Sequence, residues 1–260
     1  MDWQACARVM ARVSSLASVA RYAVKVNRYF MLGCNIKFDP ARGMVAGRTW
    51  LAGIGLALLA GAACGQPATD PSINAQLLVG ARQGDMALVE RSLSRGAAPN
   101  SRNRLGKTAL LIAAEKGNVA LAVDMLAAGA DVNLASLEQV TPLMAASYGG
   151  HAVLVKRLLD AGARLDPLDR MHKPAMVYAA AQGHAGVVEL LLGAGADVNA
   201  SYENQLTALM WAAGQGQVEA TRLLLARGAR SDAKDDRGLT ALDMARQAGH
   251  AELVSLLEGR

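Results

Sequence analysis

"TPLMAASYGGHAVLVKRLLDAGA", residues 141–163, packs two helices and two stops into one short stretch. Thr141 can cap the free N–H groups of a helix. Pro142 suits the first helical position, where its missing N–H does no harm. The alanines that follow allow close approach by a neighbouring element. Gly150 ends this helix by permitting a left-handed turn. A second helix then carries a Val/Leu stripe, and Gly162 stops it. The spacing predicts a helix-turn-helix unit with an apolar face that one unit cannot bury by itself.

The same columns recur along the chain at a step of 33 residues without insertion. "GAAPN" ends at Asn100, "GADVN" at Asn133, "GARLD" at Asp166, "GADVN" at Asn199 and "GARSD" at Asp232. Thr108, Thr141, Thr207 and Thr240 align, with Pro174 in the remaining place. Ala113, Ala146, Ala179, Ala212 and Ala245 align, as do Gly84, Gly117, Gly150, Gly183, Gly216 and Gly249. A leucine column closes the second helices at Leu126, Leu159, Leu192 and Leu225, with Leu257 one place before it in the last unit. A fixed period with this many columns reads as a stacked repeat array, not as separate elements.

At these residues the chain resembles the ankyrin-repeat family. Residues 141–163 and "GHAGVVELLLGAGADVNA" (183–200) carry the family pattern nearly intact. The resemblance implies an all-α fold: a solenoid of about six 33-residue helix-turn-helix units with short hairpin-like fingers. The units begin near Asn74, Ser101, Leu134, Pro167, Ala200 and Ala233, and the first and last read as caps. One departure is consistent. The family's His in "TPLH" is replaced by Leu111, Met144, Val177, Met210 and Asp243, which turns a hydrogen-bonding column largely apolar.

Nothing outside the repeat logic forms an active site. His151, His184 and His250 share one column after the glycine turn, so they read as structural. His172 alone is off that pattern, in a finger where the family prefers Gly. No Ser-His-Asp set, carboxylate pair, phosphate loop or dinucleotide motif is present. No catalytic residue, cofactor site or metal site is therefore expected. Cys6, Cys34 and Cys64 all precede the array, which excludes a disulfide framework or a thiolate nucleophile within it.

The resemblance implies a protein partner, because the family binds through finger tips and the exposed side of the first helix. Those columns here hold Arg102, Arg104 and Lys107; Leu137, Glu138 and Tyr148; Leu168, Arg170, Met171 and Lys173; and Tyr202, Glu203 and Asn204. The end units are charged and the middle is more apolar, as in an interface with an apolar centre and a polar rim. Tyr178 and Trp211 lie on the first helix too, where inter-repeat core competes with surface. Nucleic acid is not expected as a partner. The net charge of +5 comes from residues 1–63, with eight Lys/Arg against two Asp/Glu, whereas residues 64–260 hold nineteen against twenty. A monomeric array is expected.

Upstream, "WLAGIGLALLAGAACGQPATDP" (50–71) has an uncharged run from Trp50 to Ala63. Fourteen residues of helix reach about 21 Å, short of roughly 30 Å of hydrocarbon. A short region bearing Arg48, an apolar segment and small residues before a cysteine form an export signal. "GAAC" resembles the lipobox of bacterial lipoproteins, with Gly61 where Leu is usual. That implies cleavage before Cys64 and its lipidation. Competing readings are a plain secretory signal cut at the same place and an uncleaved anchor. Residues 1–43 are Arg- and Ser-bearing. They read as an untranslated or disordered leader ahead of a true start at Met44, with Met31 as another start and a transit peptide as the compositional alternative. The expected organisation is a leader (1–43), a signal peptide (44–63), a linker after the lipidated cysteine (64–73) and the repeat array (74–260).

These features predict a scaffold held on the periplasmic face of a bacterial envelope through a lipid anchor at Cys64. It would engage one protein, such as a stress enzyme or a toxin. The alternative is a secreted effector acting on a host-cell protein.

Overall fold

The computed structural model describes residues 71–259. The leader, the signal peptide, Cys64 and residues 64–70 of the linker lie outside the described residues. Among the described residues are six helix pairs, formed by α1 (Pro71–Gln83) with α2 (Met86–Ser94), α3 (Ala109–Lys116) with α4 (Val119–Ala127), α5 (Pro142–Tyr148) with α6 (Ala152–Asp160), α7 (Ala175–Ala181) with α8 (Ala185–Gly193), α9 (Ala208–Gly214) with α10 (Val218–Ala226), and α11 (Ala241–Gln247) with α12 (Ala251–Glu258). First helices pack on first helices and second helices on second, giving two layers. Among the described residues α1 already begins at Pro71. Ile73 already belongs to the apolar face there and is buried.

The core is one continuous cluster running from Ile73 to Leu257. The alanine column of the first helices is fully buried at all five positions, and Leu121, Leu154, Leu191, Leu224 and Leu253 fill the second layer. Thr108, Thr141, Thr207 and Thr240 cap their helices by accepting the N–H three residues on. Pro174 caps α7 without a side-chain bond. In the substituted "TPLH" column, Leu111 and Val177 are buried hydrocarbon. Met144 and Met210 keep a weak bond, because the N–H of Thr141 and of Thr207 donates to the thioether sulfur at 3.4 and 3.5 Å. Asp243 restores a full one, accepting from Thr240 N–H at 2.9 Å and from its hydroxyl at 2.7 Å. Those donors hold the Asp243 carboxyl below the usual range.

The periodic histidines join units. His184 Nε2 lies 3.0 Å from the carbonyl oxygen of Tyr148, and His250 Nε2 lies 3.2 Å from that of Gly214. Each ring covers the glycine turn of the preceding unit. A Cβ on Gly150 would sit 2.6 Å from the His184 ring. Glycine at position 150 is therefore required twice, by its φ of 70° and by the ring.

Asparagines at the unit ends make a second tie. Asn133 donates from Nδ2 to Gly162 O at 3.2 Å and accepts from Arg164 N–H at 2.9 Å. Asn199 repeats this with Gly228 and Arg230. At the end of the third unit the column holds Asp166, which cannot donate and instead pairs with Arg164. The junction between units three and four lacks the tie, and a cavity of about 380 Å³ opens beside it among Asp166, Leu168, Pro174, Met176, Leu191 and Tyr202.

Two stability predictions follow from this packing. Leu191→Ala should cost about 2–5 kcal/mol in urea unfolding, from lost burial and a cavity. Glu203→Ala, on an exposed finger, should stay within about 0.5 kcal/mol. Asp166→Asn should install the missing tie and stabilise by about 0.5–1.5 kcal/mol, while Asn133→Asp should lose a similar amount. An unchanged midpoint for both of the last two would remove the amide as the cause.

Candidate functional site

The five fingers are built alike from a column that periodicity alone did not single out. Residues 103, 136, 169, 202 and 235 each donate their N–H to the carbonyl four residues on, at 3.0–3.2 Å, closing a small loop. In four fingers the side chain of that residue also accepts backbone N–H groups. Asn103 takes those of Leu105 and Lys107, and Asp169 takes those of Met171 and Lys173. Asp235 takes those of Arg237 and Leu239, and Ser136 takes that of Val140. Asp169 and Asp235 are buried while doing so. Burial would raise the Asp235 carboxyl, but the donated N–H groups and the Arg237 guanidinium bring it below its ordinary value. The 33-residue spacing of Asn, Ser and Asp was the signal that could have revealed this column.

Tyr202 breaks that pattern, having no side-chain oxygen in reach of the loop. This fourth finger instead folds as a 3-10 turn over Glu203–Gln205, with Asn204 and Gln205 both at φ 58°. Tyr202, expected to face a partner, is half-buried against the cavity that Asp166 and Met176 also line. Burial, with the Asp197 charge, pushes its phenol up.

Adjacent fingers are tied at their tips. Leu137 N–H donates to Leu105 O at 3.0 Å, Arg170 N–H to Glu138 O at 3.2 Å, and Asp236 N–H to Asn204 O at 3.1 Å. Between fingers three and four no such backbone bond occurs among the described residues. His172 Nδ1 and the Glu203 carboxylate face each other there at 3.6 Å. The off-pattern histidine is thus exposed but placed beside an acid. Its φ of 52° explains why glycine is favoured in this column.

The expected partner residues form two kinds of surface. Leu137, Tyr148, Leu168 and Met171 are all exposed apolar groups, between 38% and 61% accessible. Tyr148 stands edge-on to Tyr178, with ring centroids 5.8 Å apart at 86°. The Tyr178 hydroxyl donates to Asp169, and burial together with that carboxylate pushes the phenol far up. Lys173 lies over Trp211, 4.3 Å from the ring centroid, a cation–π contact. Tyr178 and Trp211 are half-buried, so neither simple core nor simple surface describes them. The charged members are paired sideways. Lys107 meets Glu115 at 2.6 Å, Arg170 meets Glu138 at 3.0 Å, and Arg102 donates to Ala135 O at 2.8 Å. Arg104, Glu203 and Asn204 are exposed.

Further exposed apolar side chains were not anticipated. Leu105, 60% accessible, extends the finger ridge next to Leu137. Val123 and Val153 lie on α4 and α6, so apolar exposure is not confined to the fingers. Among the described residues, only the finger and first-helix face adds aromatic rings to it. Two troughs of about 410 Å³ line that face, one floored by Met144, Tyr148 and Tyr178, the other by Met210, Trp211 and Met244. No group of His, Cys, Asp and Glu among the described residues could hold a metal ion. None of the described helices is long and apolar enough to cross a membrane.

Finger geometry can be tested at one column. Gly106 has φ 73°, and a Cβ there would lie 2.8 Å from Leu137 N. Gly106→Ala should destabilise by more than about 1 kcal/mol, through left-handed strain and that clash. Gln139→Ala, in a column position that already bears a side chain at φ 60°, should stay within about 0.5 kcal/mol. Equal thermal midpoints for the two variants would contradict this account.

A sequence model described as ankyrin repeats (3 copies) matches residues 77–169, 120–202 and 176–259. A search of curated proteins found no match. The matched segments run together over more than half of the chain and coincide with the six helix pairs and their fingers. The chain belongs to the ankyrin-repeat family.

Proposed function

We propose that this chain is a non-enzymatic, envelope-anchored scaffold that docks one protein partner on its finger and first-helix face. The observation that carries the docking reading is the continuity of that face. Leu105, Leu137, Leu168 and Met171 line successive finger tips, Tyr148 and Tyr178 sit beside them, and the tips are tied to each other by hydrogen bonds. Exposed apolar groups on a pre-ordered frame lose little entropy on binding, which favours association. A partner would bury these groups at the centre and meet Arg170, Glu138 and Lys107 at the rim. The anchoring part rests on "GAAC" after an uncharged run, with Cys64 as the lipidated residue. A protein so held on the periplasmic face suits a partner such as a stress enzyme or a toxin. The secreted effector reading would need a different export route.

Site-specific photo-crosslinking in native cells tests both parts. A crosslinking amino acid placed at Leu137 or Met171 should capture one protein, and the product should sediment with membranes. The same group at Val153 on α6 should capture nothing specific. Capture from Val153 alone would place the interface on the other layer, and soluble crosslinked product would remove the anchor.

A further inference from the structure

Units one and two carry a groove that differs from the aromatic troughs further along. Its volume is about 540 Å³. Leu78 and Val79 of α1 and Ile112 of α3 supply an apolar floor. Arg82, on the last turn of α1, and Arg102 and Arg104, on the first finger, rim it. No acidic residue is among the described residues that line it. The three guanidinia therefore face an apolar floor with no carboxylate to neutralise them, in a body whose residues 64–260 carry more acids than bases. Elsewhere on the same face the cations are matched, as in Lys107 with Glu115 and Arg170 with Glu138.

Resting on the docking reading above, we infer that this groove receives an acidic, apolar-anchored protein segment, and so sets the charge class of the partner. Charge complementarity selects the occupant. Carboxylates on the segment would pair with Arg82 and Arg104, and its apolar side chains would cover Leu78 and Val79, the latter 36% accessible. All three cations are arginines, whose planar fork matches a carboxylate in a bidentate way and gives up water more readily than an ammonium. Arg102 spends one of its five donors on Ala135 O, which fixes the finger lip and leaves donors over. The chain's own upstream segment is a poor occupant, because residues 1–63 carry eight Lys/Arg against two Asp/Glu. Single-stranded nucleic acid is disfavoured as well. Its recognition pairs cations with aromatic platforms for the bases, and this groove is floored by aliphatic side chains.

The test is selection of a random dodecapeptide display library on the full chain. Enriched peptides should be rich in Asp and Glu and contain Leu or an aromatic residue. A selected peptide should lose roughly tenfold or more in affinity towards the Arg82→Gln/Arg104→Gln variant, which keeps the Arg102 tie, and should weaken with added salt. The Lys156→Gln/Arg157→Gln variant, altered on α6, should bind like the parent. Neutral or basic enriched peptides, or equal affinity for both variants, overturn the inference. So does tighter arginine-dependent binding of a single-stranded oligonucleotide or of phosphatidylglycerol vesicles. Persistent crosslinks at Leu137 and Met171 with no arginine-dependent peptide would sink this groove and leave the docking face standing. Loss of both would sink the docking face itself.

Discussion

Five alanines, Ala113, Ala146, Ala179, Ala212 and Ala245, are completely buried where one first helix meets the next. A methyl side chain lets the helices approach closely, and that approach brings the periodic polar groups within reach of the neighbouring unit. His184 and His250 can touch the preceding unit's carbonyls, Asn133 and Asn199 can bridge to the next unit's loop, and finger tips can exchange backbone bonds, only because the units sit at one repeated distance. Each unit alone would leave its apolar face in water, so stability is a property of the row. Larger side chains in the alanine column would separate the units and break several ties at once.

The departures from the repeat gather around the fourth unit, at its junctions with the third and the fifth. Asp166 replaces the bridging asparagine, Pro174 replaces the capping threonine, Tyr202 replaces the finger's side-chain acceptor, and no backbone bond joins the third and fourth finger tips among the described residues. A cavity occupies the same place. These losses share one physical character, since each removes a hydrogen bond, within a unit or between units, and none removes apolar burial. Leu191, Val188 and Ala212 remain fully buried there. The row is thus continuous in its core and thinner in its polar stitching around the fourth unit.

The fingers show how a recognition surface is kept open without being loose. Each is closed by its own hydrogen bonds, most of them through a buried or half-buried Asn, Ser or Asp, so its outward side chains are not needed to hold it. That frees positions such as 105, 137 and 171 to carry exposed Leu and Met. The first helices contribute the aromatic rings, held by Asp169 on one side and by Lys173 on the other. Surface chemistry can then differ from unit to unit, basic over units one and two and aromatic further along, on a frame that stays the same.

The sequence by itself determined the period, the two helices of each unit, the threonine caps, the glycine stops and the structural role of the histidine column. All of these depend on local geometry or on spacing, which a chain shows without being folded. The exposure of Leu137, Tyr148 and Met171 was also readable, because their columns face away from the stack. The tertiary structure alone decided the rest. It turned Tyr202 inward, since that residue's surroundings come from the unit before it. It gave Met144 and Met210 a place in the helix caps and left Tyr178 and Trp211 half-covered. It also gathered Arg82, from α1, with Arg102 and Arg104, twenty residues further on. A repeat pattern fixes what each unit is, but the sum of two neighbouring surfaces exists only once they are packed.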